Sequence, residues 1–304
     1  MRFLIGASAR GERVALVTLS DVVARSSRAP GTQMAVSETG RYLGSFSGGC
    51  VEAAVVGEAR RVIASGKAEL VRFGDGSPYI DIELPCGGGI DLLIMPAPAT
   101  DILLRACEEL TARRPVVLQL GLNGTLAIKS DVNDQDRTGW NDGVFQLRHN
   151  PDLRLVVVGH GEESRSLAAL ASSYGAIVSV LSPDIELVSA MQALGVEANV
   201  LKTPGRSPWL RTDRYSAVVL LFHDHDWEGD LLEQVLEQDA FFVGAMGSRT
   251  THALRVADLL NRGVGQASID RITGPIGLIP ATRDPATLAL SALSQIAMAY
   301  DKLS

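Results

Sequence analysis

The second half of the chain constrains the fold most, because from residue 153 onward nearly continuous apolar runs alternate with segments of helical period. Residues 153–158, 177–181 and 217–222 are runs of the kind a strand shows only when both its faces are covered, and 241–243 is a shorter one. Between them, 162–174, 183–194, 228–238 and 250–260 read as crossing helices, and 285–300 as a closing helix. This alternation predicts a Rossmann-like, doubly wound parallel-sheet domain.

The first half has a different rhythm and predicts a mixed α+β domain. Strands are expected at 13–19, 69–73, 80–84 and 90–95, with a hairpin of 33–36 and 42–45 around Glu38-Thr39-Gly40. Helices are expected at 51–65 and 100–113, and a second strand pair, 116–120 and 125–128, turns at Leu122-Asn123-Gly124. The short stretch before Val14 is expected to lack an opening helix. Residues 130–151 are rich in Asp, Asn and Gly and read as a linker, which sets the domains at 1–150 and 151–304.

Composition narrows the function. With 28 Lys and Arg against 35 Asp and Glu, the net charge of −7 excludes a general binder of nucleic-acid backbones. No apolar run approaches the roughly 18 residues of a membrane span, so a cytoplasmic protein with no membrane partner is expected. Three cysteines among 304 residues do not make a disulfide framework. The 30 glycines matter more, because they cluster beside two of those cysteines and at strand ends.

Cys50 lies in Gly44-Ser45-Phe46-Ser47-Gly48-Gly49-Cys50-Val51-Glu52, at the start of a helix whose exposed amides favour a thiolate. Cys86 follows an expected strand in Leu84-Pro85-Cys86-Gly87-Gly88-Gly89. Two such thiols can converge on a soft metal or carry sulfur, and they also suit the plain role of buried turn cysteines. Cys107, inside a helix, reads as structural.

In the second half, Gly159-His160-Gly161 forms a glycine turn between strand and helix. Glu162-Glu163-Ser164 then stands where a dinucleotide site needs a third glycine, and the next strand ends on Ser182 with Asp184 two positions late, which weighs against NAD(P). His223-Asp224-His225-Asp226 follows the third apolar run, where ligand sites gather, and reads as a ligand or proton-exchange cluster or as a helix-capping turn. Gly247-Ser248-Arg249 reads as a phosphate site or as an ordinary serine cap with a solvated arginine.

Taken together, these segments resemble the xanthine dehydrogenase accessory proteins of the XdhC/CoxI type. The resemblance rests on Ser26-Ser27-Arg28-Ala29-Pro30-Gly31, the two cysteine loops, the Gly159 turn, His223-Asp224-His225, the run from Phe242 to Arg249, and Pro275-Ile276-Gly277-Leu278. It implies a chaperone without turnover of its own. Such a protein binds the molybdenum cofactor (molybdopterin) transiently, assists exchange of an oxo for a sulfido ligand with a cysteine desulfurase, and delivers the cofactor to an apo molybdenum hydroxylase.

On this resemblance Cys50 and Cys86 are the metal or sulfur ligands, Ser47, Gly48 and Gly49 shape their loop, and Arg28, His223 and Arg249 complete the cofactor site. A homodimer is the expected assembly. Where relatives carry Asp-Ile-Gly-Ala, this chain has Ile279-Pro280-Ala281-Thr282, which weighs against a pocket built by that segment. The alternative is a nucleotide-dependent oxidoreductase or cofactor-modifying nucleotidyltransferase acting through the Gly159 turn and His223. A metal-dependent hydrolase built on His223, Asp224 and His225 is a third.

Overall fold

A computed structural model describes residues 1–24, 26–47, 49, 51–77 and 87–303, with the backbone but not the side chain of His225. The chain divides into two units, Met1–Asn150 and Pro151–Ser304.

The N-terminal unit runs α1 (Arg2–Ala9), β1 (Val14–Val23), β2 (Gln33–Ser37), β3 (Tyr42–Leu43), α2 (Glu52–Ser65), β4 (Glu69–Gly74), β5 (Gly89–Pro96), α3 (Thr100–Thr111), β6 (Val116–Gly121), β7 (Leu126–Ile128), β8 (Gly139–Asn141) and β9 (Val144–His149). Among the described residues the strands form two antiparallel sheets, ordered β3-β2-β1-β5-β4 and β7-β6-β9-β8. Strand β1 is buried on both faces because its side chains alternate between two cores. Ala15, Val17 and Leu19 pack with Val55, Ala59 and Val62 of α2, while Val14 and Leu16 join α1, α3 and the second sheet.

Two expectations fail in this unit. The residues before Val14 do form a helix, α1, which buries Leu4 and Ala7 in the second core. Gly6 and Ser8 weaken its intrinsic propensity, so it is the tertiary contact that holds so short a helix. Residues 130–151 are not a linker, since β8 and β9 make a hairpin. Asp142 and Gly143 both take positive φ, 48° and 77°, as a two-residue turn of the primed type requires, and Phe145 and Leu147 of β9 are buried.

The C-terminal unit runs β10 (Arg154–Gly159), α4 (Gly161–Tyr174), β11 (Ile177–Ser182), α5 (Ile185–Ala193), β12 (Glu197–Val200), β13 (Ser216–Leu221), a 3₁₀ turn (His225–Trp227), α6 (Glu228–Leu236), β14 (Phe242–Ala245), α7 (Arg249–Asn261), α8 (Gln266–Ile269), β15 (Ile272–Thr273) and α9 (Pro285–Asp301). Its strands pair in parallel in the order β12-β11-β10-β13-β14-β15. Counted within the unit this is 3-2-1-4-5-6, the Rossmann order, and the direction of winding reverses between β10 and β13.

The apolar runs have the cause inferred for them. Leu155 and Val157 face a core with α4, α5 and α9, whereas Val156 and Val158 face another with α6 and α7. Gly159 closes β10 against β13, for a Cβ there would meet the Leu221 carbonyl oxygen at 2.5 Å. Among the described residues, no helix is long and apolar enough to cross a membrane.

Candidate functional site

The carboxyl ends of β10, β13 and β14 open onto a cavity of about 810 Å³ within the C-terminal unit. Its wall takes Glu163 from the first turn of α4, Phe222 and His223 after β13, Met246 to Arg249 and Thr251 at the start of α7, and most of residues 275–284 leading into α9. In sheets of this order, ligands bind at the carboxyl ends where winding reverses. Residues 279–282 therefore do build the pocket, despite their departure from the family pattern.

The starts of three helices meet at this cavity, each presenting the positive end of its dipole. Two of them carry their own carboxylates. Glu163 sits in the first turn of α4. Asp284 caps α9, accepting from the Thr287 amide at 2.9 Å, and hydrogen bonds from the Thr287 hydroxyl and amide hold its carboxyl below the usual range.

The start of α7 differs, because its cap is neutral. Ser248 Oγ accepts from the Thr251 amide at 3.0 Å, the exposed Arg249 follows, and Arg283 lines the same cavity. A helix end with hydroxyl donors and two guanidinium groups suits a phosphate. Burial, and after it the charge of Arg255, pushes the pKa of the neighbouring His252 ring below its ordinary value.

Behind the turn lies an ion pair that sequence motifs do not reveal. Arg255 and Glu228 are 5% and 2% exposed, joined by Nε to Oε2 at 2.9 Å and Nη2 to Oε1 at 3.0 Å. Nη2 also donates to the Met246 carbonyl at 2.9 Å, which ties α6 and α7 to the chain leaving β14. Such a fork of three hydrogen bonds fixes the direction in which the Gly247-Ser248 turn enters the cavity.

His223 is largely exposed, with Nε2 3.6 Å from Glu163 Oε1, too far for a hydrogen bond, and its ring lies edge-on to His160 at 5.9 Å. Asp224 Oδ1 accepts from the Asp226 amide at 3.0 Å, so it closes a turn rather than capping α6. Among the described residues, no three His, Cys, Asp or Glu side chains are grouped to hold a metal. The features that weighed against NAD(P) have local explanations: Ser164 is buried with Oγ donating to the His160 carbonyl at 3.1 Å, and Asp184 caps α5.

In the N-terminal unit, Cys50, Cys86, Gly48 and the strand expected at 80–84 lie outside the described residues. Ser47 and Gly49 belong to the loop before α2, and Glu52, the first residue of that helix, organises it. Glu52 is 3% exposed. Its Oε1 accepts from Ser45 Oγ at 2.7 Å and from the amides of Phe46 and Ser47 at 2.9 Å, and its Oε2 from the Gly49 amide at 2.6 Å and Ser47 Oγ at 3.2 Å.

Burial alone pushes the Glu52 carboxyl up, but the hydrogen bonds from the Ser47 amide, the Ser45 hydroxyl and the Phe46 amide outweigh it and hold the group far below the usual carboxylate range. Ser27 Oγ donates to the Phe46 carbonyl at 3.3 Å, which brings the turn of the exposed Arg28 to this loop. Cys107 is half-buried in α3.

The structure thus gathers His223 and Arg249 at one cavity and brings the Arg28 turn to the Ser47 loop. Sequence reasoning missed Arg283, the Arg255–Glu228 pair and Glu52. The helix-start signal Asp284-Pro285 after a Gly- and Pro-rich stretch points to the first of these.

Comparison with known proteins gives the same two-part organisation. The XdhC Rossmann domain family matches residues 155–296, and the XdhC and CoxI family matches residues 7–74. The molybdenum cofactor insertion chaperone PaoD of Escherichia coli (strain K12) is 35% identical over 297 residues, covering 98% of this chain and 86% of that protein. The uncharacterized protein YqeB of the same organism is 24% identical over 208 residues, 64% of this chain and 35% of its own length.

A crystal structure described as a xanthine dehydrogenase from Bacillus halodurans matches with TM-score 0.78 at 20% identity, over 99% of this chain and 95% of that one, a likeness of fold. With both units matched by family models and a relative aligned over nearly the whole length, the chain belongs to the XdhC and CoxI family.

Proposed function

We propose that this protein is a molybdenum cofactor insertion chaperone. It holds molybdopterin as cargo, assists its sulfuration with a cysteine desulfurase, and passes it to an apo molybdenum hydroxylase of the xanthine dehydrogenase type. The observation that carries this reading is the near full-length match to PaoD, a chaperone of that description.

The cavity at the start of α7 supports it. Molybdopterin carries a phosphate, and Ser248, Arg249 and Arg283 supply the donors and charge such a group needs. In the N-terminal unit, Cys50 and Cys86 supply soft sulfur for molybdenum or for the sulfur it receives. A homodimer working in the cytoplasm without NAD(P) completes the proposal. A dinucleotide enzyme at the Gly159 turn is the weaker reading, since Glu163 places a negative charge at the helix end where a diphosphate would rest.

Purification with bound cargo is the test. Pterin fluorescence and molybdenum analysis of the full chain should find both, and Cys50→Ala should retain less. A protein with no affinity for molybdopterin, or one that binds NAD(P)H or CTP saturably in its place, overturns the reading.

A further inference from the structure

We propose that Glu52 is a positioning residue for Cys50: its carboxylate is the anion on which Ser45, Phe46, Ser47 and Gly49 converge, and the handling of cargo by the neighbouring thiol depends on it. The proposal rests on the reading of Cys50 as a cargo-handling group.

Three observations carry it. The carboxylate is buried at the very start of α2, two residues after Cys50, so any shift of Glu52 is transmitted through one peptide unit on either side of Val51. From the described residues alone it accepts five hydrogen bonds, against about four lone-pair sites, so its accepting capacity is filled. Three of the five come from backbone amides, those of Phe46, Ser47 and Gly49, so the carboxylate dictates the path of the main chain and not merely the set of a few side chains.

Converging amides and hydroxyls at a helix start are also what hold a phosphate elsewhere. Here the chain's own carboxylate fills that place, and these amides are not free to bind cargo. Ser47 adds a second tie, because its Oγ both donates to Glu52 and accepts from the Val51 amide at 3.2 Å. Val51 itself is fully buried in the core with Val55 and Phe46. The residues on either side of Cys50 are therefore fixed, one by Glu52 and one by the core.

The test uses the full chain with Glu52→Gln and Glu52→Ala, read by amide hydrogen exchange and by retained molybdopterin. Glu52→Gln keeps the shape but turns one acceptor oxygen into a donor. It should lower protection of the Phe46, Ser47 and Gly49 amides, and retained molybdopterin, by about tenfold each, with the amides of α2 beyond its first turn unchanged. Glu52→Ala should lose more, and added acetate, which can occupy the vacated place, should restore both quantities in part where acetamide does not.

A merely structural role would loosen the whole helix and would not respond to acetate. Fast exchange of these three amides in the unaltered protein overturns the proposal even if neither variant folds, as does wild-type retention by Glu52→Gln. Failure of the unaltered protein to bind molybdopterin overturns the cargo reading instead, and the amide exchange and its acetate rescue still decide whether Glu52 builds the loop.

Discussion

Two glycine-bearing turns at helix starts look alike in sequence and are used in opposite ways. Gly48-Gly49 precedes α2 and Gly244-Ala245-Met246-Gly247 precedes α7, and each lies beside hydroxyls that suit an oxyanion, Ser45 and Ser47 before the first and Ser248 and Thr251 after the second. In the first, Glu52 turns back and takes the hydroxyls and amides for itself. In the second, the cap is Ser248, the next residue is Arg249, and the turn faces an open cavity. The lesson is that a glycine-rich helix start announces an anion site without saying whose anion fills it. A carboxylate in the first helical turn decides that it is the chain's own.

The largest effect that could break this comparison lies beneath the α7 turn. Arg255→Ala takes the guanidinium away from the buried Glu228 carboxyl and should cost about 3–5 kcal/mol, seen as an earlier urea midpoint for the C-terminal unit. A double replacement of both residues by apolar ones of similar size should cost much less. If Arg255→Ala is silent, the turn is not anchored as described.

The glycines themselves sharpen the contrast. Gly247 has φ of 139° and a Cβ there would meet Thr251 Cγ2 at 2.6 Å, while Gly49 has φ of 127° and a Cβ there meets no described atom within 4 Å. Gly247→Ala should therefore cost more than Gly49→Ala, the latter bearing only the backbone strain of about 1–3 kcal/mol, and thermal unfolding of the two variants checks the order.

Acid should separate the units more gently. Burial, and after it the charge of the N-terminal amino group, pushes His149 of the N-terminal unit down to about 4 from an ordinary 6.5. Because the unfolded chain takes up that proton first, the stability this histidine gives is present above pH 6.5 and is lost as pH falls toward 4. The partly buried His252 works in the same direction in the C-terminal unit, so the N-terminal unit should show the steeper loss of urea midpoint across this window.

How much of this was legible in sequence follows from where the information lies. The C-terminal unit reads well because each buried strand is a local apolar run and each crossing helix has its own period, so no distant residue need be known. The N-terminal unit reads less well. Helix α1 is held by Leu4 and Ala7 against a core assembled from later segments, and the β8–β9 hairpin hides in a stretch whose Asp and Gly mark a turn rather than a linker. For the sites, His223 and Arg249 were legible because strand ends locate ligands. Arg255 meets Glu228 across 27 positions, and Glu52 is simply one more helical acid until its hydrogen bonds from Ser45, Phe46, Ser47 and Gly49 are seen.

The most direct test of the account is the affinity of the purified full chain for molybdopterin, compared between the unaltered protein and an Arg249→Ala/Arg283→Ala double variant of unchanged thermal stability. Loss of two charged hydrogen-bond donors should weaken binding at least about tenfold and flatten its dependence on salt. Equal affinity in the two proteins would contradict the placing of the cargo's phosphate at the start of α7.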